Sequence, residues 1–147
     1  MNLDLDMKFE KGLDDICANC RYDVKFREGQ KPLYEEFESY NSETWSKIAN
    51  DKGFIQQFKS YLNTEGIEKI EDLAYMINSN KANINEVKQA FKELFKNKRS
   101  EFFEIILKNN TLKNNLLGEG LTKSEAKNVF GDLINSTNSV LYNFIKF

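Results

Sequence analysis

The residues that could do chemistry begin with two cysteines, Cys17 and Cys20, which are separated by two positions. That spacing is typical of half a zinc site or of a redox dithiol. A structural zinc site needs four protein ligands. The chain has no histidine and no further cysteine, so carboxylates or a second chain would have to supply the rest. On a helix both thiols would face the same side as Leu13 and Ile16, which favours buried structural cysteines over a metal or redox role.

A second group combines Asp15 with Asp23 and Lys25. In metal-dependent nucleases of the restriction type, two carboxylates hold Mg²⁺ and a lysine orients or activates the attacking water. The spacing here is loose, and the sequence predicts no extended mixed sheet to hold such ligands. We therefore interpret these residues as solvent-facing strand charges. A small Mg²⁺-dependent nuclease is retained as the second alternative function.

Nothing else in the sequence indicates catalysis. The segment from Gly66 to Ala74 partly resembles the second half of a helix-hairpin-helix element, but Glu68 occupies the position of its second glycine and would repel a phosphate. We predict an ordinary helix-helix turn there. The absence of histidine removes the commonest general base, and no glycine-rich phosphate loop is present. The sequence therefore predicts a non-enzymatic protein without a metal or cofactor.

Two groups of charged residues are candidates for binding. The basic row consists of Lys88, Lys92, Lys96 and Arg99, at helical spacing. It is either a solvated edge that interacts with complementary charges on neighbouring helices, or a contact for phosphates or an acidic partner. The acidic patch consists of Glu35, Glu36 and Glu38. We expect it on the outside of a helix, beside aromatic residues, where it would face a basic partner.

The element that would position the basic row is the longest helical pattern in the chain, from Asn83 to Lys108. Asn83 and Glu86 form a capping pair at its start. Lys98 interrupts its apolar face, where it must either extend along that face to reach solvent or mark a place where the partner surface opens. Its predicted core stripe comprises Ile84, Val87, Phe91, Leu94, Phe95, Phe102, Ile105 and Ile106.

The rest of the chain is predicted to be mostly helical. Residues 1–30 indicate strand, helix and strand, the second strand holding Tyr22, Val24 and Phe26. Pro32 is expected to start a helix that carries the acidic patch. Further helices are predicted at 42–49, 54–62, 67–77 and 112–117, and from Thr122 almost to the C-terminus. The fold class is mainly α, a helix-dominated α+β protein with about six helices and a short N-terminal two-stranded β element. Residues 1–147 form a single domain, in which 31–147 make a helical core.

Composition limits the function further. The net charge of −2 argues against a dedicated binder of duplex nucleic acid. No apolar run approaches the length needed to span a bilayer, and the N-terminus does not resemble a signal peptide, so we expect a cytoplasmic protein with no membrane partner. The abundance of lysine and asparagine suggests a low-GC bacterium or its mobile elements.

The leading hypothesis is a small protein-binding module that inhibits or regulates a larger partner. That partner could itself bind nucleic acid. Proteins of the anti-defence, anti-CRISPR, antitoxin and immunity types are examples of such a role. The first alternative is a nucleic-acid-binding accessory subunit that uses the basic row.

Overall fold

A computed structural model of the protein describes the backbone of residues 22–25 and all of residues 33–147. The predicted strand in residues 3–9 lies outside the described residues. The predicted helix with Cys17 and Cys20 also lies outside them, as does Asp15.

Within the described residues, a four-stranded sheet forms one layer of the fold. Its strands are β1 (Tyr22–Lys25), β2 (Tyr34–Glu38), β3 (Leu73–Ile77) and β4 (Ile145–Lys146), and they lie in that order across the sheet. β1 and β2 pair antiparallel, whereas β2, β3 and β4 run parallel to one another. The strand predicted at Tyr22 is therefore present, but its described neighbour is β2, which comes from a segment that we predicted to be helical.

Six helices in the described residues form the other layer, which confirms the prediction of a helix-dominated α+β fold. They are α1 (Ser42–Trp45), α2 (Lys52–Leu62), α3 (Ile84–Asn97), α4 (Arg99–Lys108), α5 (Asn110–Leu116) and α6 (Lys123–Asn135). Short 3₁₀ turns occur at Ile48–Asn50, Ile70–Asp72 and Val140–Tyr142. Polar side chains accept hydrogen bonds from the first turns of five helices, because those N–H groups have no partner within the helix. These capping residues are Asn41, Asp51, Asn83, Asn109 and Thr122.

The predicted helix from Asn83 to Lys108 is two helices, which meet at Lys98. The backbone of Lys98 leaves helical geometry at φ −120° and ψ 31°. A lysine on the apolar side of a straight helix would have to be buried, and burying a charge is costly. The break leaves its side chain 40% exposed, with its ammonium 3.8 Å from Glu101. Phe95 and Phe102, on either side of the break, still pack edge to face at 5.1 Å.

Three predicted helical segments have other structures. The segment after Pro32 contains β2, and the segment from Ile67 to Ile77 contains a 3₁₀ turn followed by β3. α6 ends at Asn135, and the chain then continues through a 3₁₀ turn into β4. In each case pairing between distant strands prevails over the local helical spacing of the apolar residues.

The hydrophobic core lies between the helices and one face of the sheet, which we call the inner face. Leu73, Tyr75 and Ile77 of β3 belong to this core. Phe58 of α2 is at its centre, with five aromatic rings at centroid distances of 5.2 to 5.8 Å. Those rings belong to Tyr75, Phe91, Phe95, Phe102 and Phe144. Six of the eight predicted stripe residues are buried, and Ile84 and Ile105 are partly buried.

Candidate protein-interaction site

The acidic patch is not an exposed helical surface, so our expectation for its placement was wrong. Glu36 and Glu38 are only 1% and 2% exposed. Both lie on β2, in register with Tyr75 and Ile77 of β3. Residues in register on neighbouring strands share a face of the sheet, so these two carboxylates belong to the inner face and are not accessible to a partner.

Glu35 points to the opposite side of the sheet, because side chains alternate along a strand. It is half-buried, in register with Ala74 of β3. No described residue forms a hydrogen bond or an ion pair with its carboxylate. Burial raises the pKa of the Glu35 carboxyl above its usual value, since desolvation disfavours the charged form. Of the predicted acidic patch, only Glu35 is available for binding.

The outer face of the sheet carries Glu35, Phe37, Ala74, Met76 and Lys146, and Phe147 continues it. Phe37, Met76 and Lys146 form one row across three strands. Phe37 is 39% exposed and Phe147 is 48% exposed, which is unusual for large aromatic side chains. A groove of about 690 Å³ runs along this face. Its lining consists of Glu35, Glu68, Lys69, Glu71, Asp72, Ala74, Met76, Lys146 and Phe147.

The loop before β3 forms one end of the groove. Gly66 adopts a positive φ of 97°, a conformation that glycine tolerates best. Asp72 is buried, and its carboxylate accepts hydrogen bonds from the backbone N–H groups of Glu68 at 2.8 Å and Lys69 at 3.0 Å. The loop therefore leads into a 3₁₀ turn and a strand, so the predicted helix-helix turn was wrong. Asp72 was missed from the sequence because a capping role requires the loop conformation to be known.

Two of the four residues of the basic row form hydrogen bonds within the described part of the chain. The Lys92 ammonium donates to the carbonyl of Asn135, the last residue of α6, at 3.0 Å. The Arg99 guanidinium donates to the Lys127 carbonyl at 3.0 Å. Lys92 therefore lies at the C-terminus of α6, where the helix dipole and a carbonyl without a helical partner stabilise a cation, whereas the Lys127 carbonyl lies in the first half of that helix. Both cations thus bond to backbone carbonyls of α6. Lys88 is half-buried and Lys96 is exposed.

Of the residues proposed for metal-dependent chemistry, Asp15 lies outside the described part of the chain. Asp23 and Lys25 lie on β1, of which only the backbone is described. Among residues 33–147, no group of three or more acidic or cysteine side chains is arranged to hold a metal ion.

None of the described helices combines the length and the apolar character needed to cross a bilayer. No protein-family profile matches the chain, and no curated protein or solved structure is significantly similar to it.

Proposed function

We propose that this chain is a non-enzymatic protein-binding module that inhibits or regulates a larger partner, and that it binds through the outer face of the sheet. The exposure of Phe37 and Phe147 beside the groove is the observation that carries the proposal. Exposed aromatic side chains beside a groove are typical of protein interfaces, where their burial provides much of the binding energy.

The arrangement of the strands also supports the outer face as the binding surface. Sheets of parallel strands are normally covered on both faces, and β2, β3 and β4 are parallel. The described α-helices contribute no residue to the lining of the outer groove. A binding partner would supply the second covering layer and remove the exposed aromatic rings from water.

Charge supports a partner that presents a basic group next to apolar side chains. Glu35 is half-buried without a described cation beside it, so a lysine or arginine from the partner would compensate its charge. The mode of action that we propose is that of anti-defence, anti-CRISPR, antitoxin or immunity proteins. This part of the proposal is supported by the lysine- and asparagine-rich composition of the chain.

Capture of binding partners from a host lysate tests the proposal when variants are compared. Phe37→Ser should abolish recovery of a stoichiometric protein that the unmodified chain retains after nuclease treatment. Val140→Ser is the matched control, since Val140 is similarly exposed but lies in the 3₁₀ turn Val140–Tyr142 and not on a strand of the outer face. Equal recovery with both variants would refute the outer face as the binding surface. Recovery of nuclease-sensitive material alone would instead support the nucleic-acid alternative.

A further inference from the structure

The outer face carries an acidic and a basic side chain on opposite sides of β3. Glu35 lies on β2 and Lys146 lies on β4, with β3 between them. Neither side chain forms an ion pair with another described residue. The two β3 residues that separate them on this face, Ala74 and Met76, are uncharged. The strand residues of this face are therefore complementary in charge to those of a rotated copy, which can place Glu35 opposite Lys146.

The two copies would face each other across a twofold axis that runs parallel to β3 and lies between the two sheets. This axis places β2 of each copy opposite β4 of the other, so the same contact between β2 and β4 is formed at two places. The level of Glu35 along the strands differs from that of Lys146 by two residues, roughly 7 Å. A lysine side chain can cover that offset when packed sheets are about 10 Å apart. The exposed aromatic rings of both copies would be enclosed in the same contact.

We propose that the outer face binds a second copy of this chain in a twofold-symmetric dimer, in which Glu35 of each copy pairs with Lys146 of the other. The inference rests on the proposed function because it uses the same binding face. It makes a second copy the occupant of that face until a larger partner displaces it. A uniformly charged partner surface would match only one of the two charges, whereas a second copy matches both.

The size of the face predicts a weak dimer. Three strands of up to five residues cover roughly 250 Å² of sheet per copy. Stable complexes bury about 800 Å² on each partner. We therefore expect monomer and dimer to exchange, with the dimer fraction rising as the protein concentration is increased.

Sedimentation velocity over a wide concentration range measures this equilibrium. Glu35→Lys and Lys146→Glu should each raise the dimer dissociation constant by about tenfold, because symmetry applies each change twice and places like charges opposite one another. The double variant should restore dimerisation. An equimolar mixture of the two single variants should also form a heterodimer, since both of its contacts are again between opposite charges. Glu93→Lys, on the helical side of the molecule, is the matched control and should leave the dissociation constant unchanged.

Several outcomes would overturn the dimer. The unmodified chain could remain monomeric at every concentration, the single variants could dimerise as well as the unmodified chain, or the mixture could fail to associate. Circular dichroism melting establishes that each variant is folded. A monomeric chain whose capture of a larger protein still depends on Phe37 would refute the dimer and leave the proposed function intact. A dimer that captures no protein would refute the proposed function alone.

Discussion

The contact between Arg99 and Gly131 offers a sharp test of how α4 is held against α6. Gly131 is buried within α6. A Cβ atom added there would lie 2.6 Å from Nη2 and 3.0 Å from Cζ of Arg99. These distances are shorter than carbon and nitrogen atoms tolerate without movement. The substitution Gly131→Ala therefore forces the guanidinium away and breaks its hydrogen bond to the Lys127 carbonyl.

The expected size of the effect follows from two opposing contributions. Replacing glycine by alanine inside a helix stabilises it by about 1 kcal/mol. Losing a hydrogen bond to a charged group costs roughly 1.5–3 kcal/mol, with the lower end appropriate for a partly exposed side chain such as Arg99. Gly131→Ala alone should thus lower the free energy of unfolding by about 0.5–1 kcal/mol.

The effect of Gly131→Ala on the free energy of unfolding should change sign when Arg99 is absent. In an Arg99→Ala background the three atoms nearest to the added Cβ are gone, so Gly131→Ala should stabilise the protein by about 1 kcal/mol. Urea unfolding of the unmodified protein, the two single variants and the double variant gives the coupling free energy between positions 99 and 131. We expect it to be about 1.5–2 kcal/mol. Trp45, the single tryptophan, is fully buried and provides the fluorescence signal. If Gly131→Ala had the same effect in both backgrounds, our account of this contact would be refuted.

Three further predictions concern single contacts. Asp72→Ala should destabilise the protein by about 2 kcal/mol in urea unfolding, because two loop N–H groups lose their acceptor; a change below about 0.5 kcal/mol would contradict the capping role. Hydrogen bonds from Thr122 lower the pKa of Glu125, so its contribution to stability is present above its unfolded-state pKa and lost as the pH falls through the folded-state pKa. Glu125→Gln should therefore make the free energy of unfolding depend less on pH at acidic pH. An unchanged pH dependence would contradict this contribution of Glu125. Lys92→Met should cost about 0.5–1 kcal/mol, while Lys88→Met, with no described partner to lose, serves as its control.

The helix starts could be predicted from sequence because they depend on local chemistry. Asn83 caps α3, and Thr122 forms a capping box with Glu125 at the start of α6. The core stripe was also predictable, since period alone determines which residues of a helix share a face. The break at Lys98 was not predicted. It depends on how α3 and α4 both reach the aromatic core, which is a property of tertiary packing.

The strands β2 and β3 were missed because their signals are non-local. Glu36 and Glu38 occupy inward positions of β2, so the strand lacks the alternation of apolar and polar residues expected for a sheet with one buried face. β3 is almost entirely apolar and buried, as expected in the middle of a sheet. A short apolar run of that kind cannot be distinguished from a buried helix by period alone.

The candidate site was harder to predict than the fold, because exposure depends on which faces meet. Lys92 and Lys88 have equivalent positions in the basic row of the sequence, yet only Lys92 reaches the end of α6. Phe37 resembles the core phenylalanines in sequence, and only the parallel pairing of β2 with β3 places it on the outer face. The outer face combines residues from three distant segments, so no local motif could indicate it.

The pKa of Glu35 can distinguish between two ways of covering that face. Its carboxyl already has a raised pKa, because it is partly desolvated. A purely apolar covering would desolvate it further and raise the pKa again, whereas a lysine or arginine placed beside it would favour the charged form and lower the pKa. Carboxyl-carbon NMR titration of the chain at low and high concentration measures the change directly. A second copy that places Lys146 beside Glu35 should lower the pKa as the concentration rises, and an increase would refute that pairing even if a dimer formed.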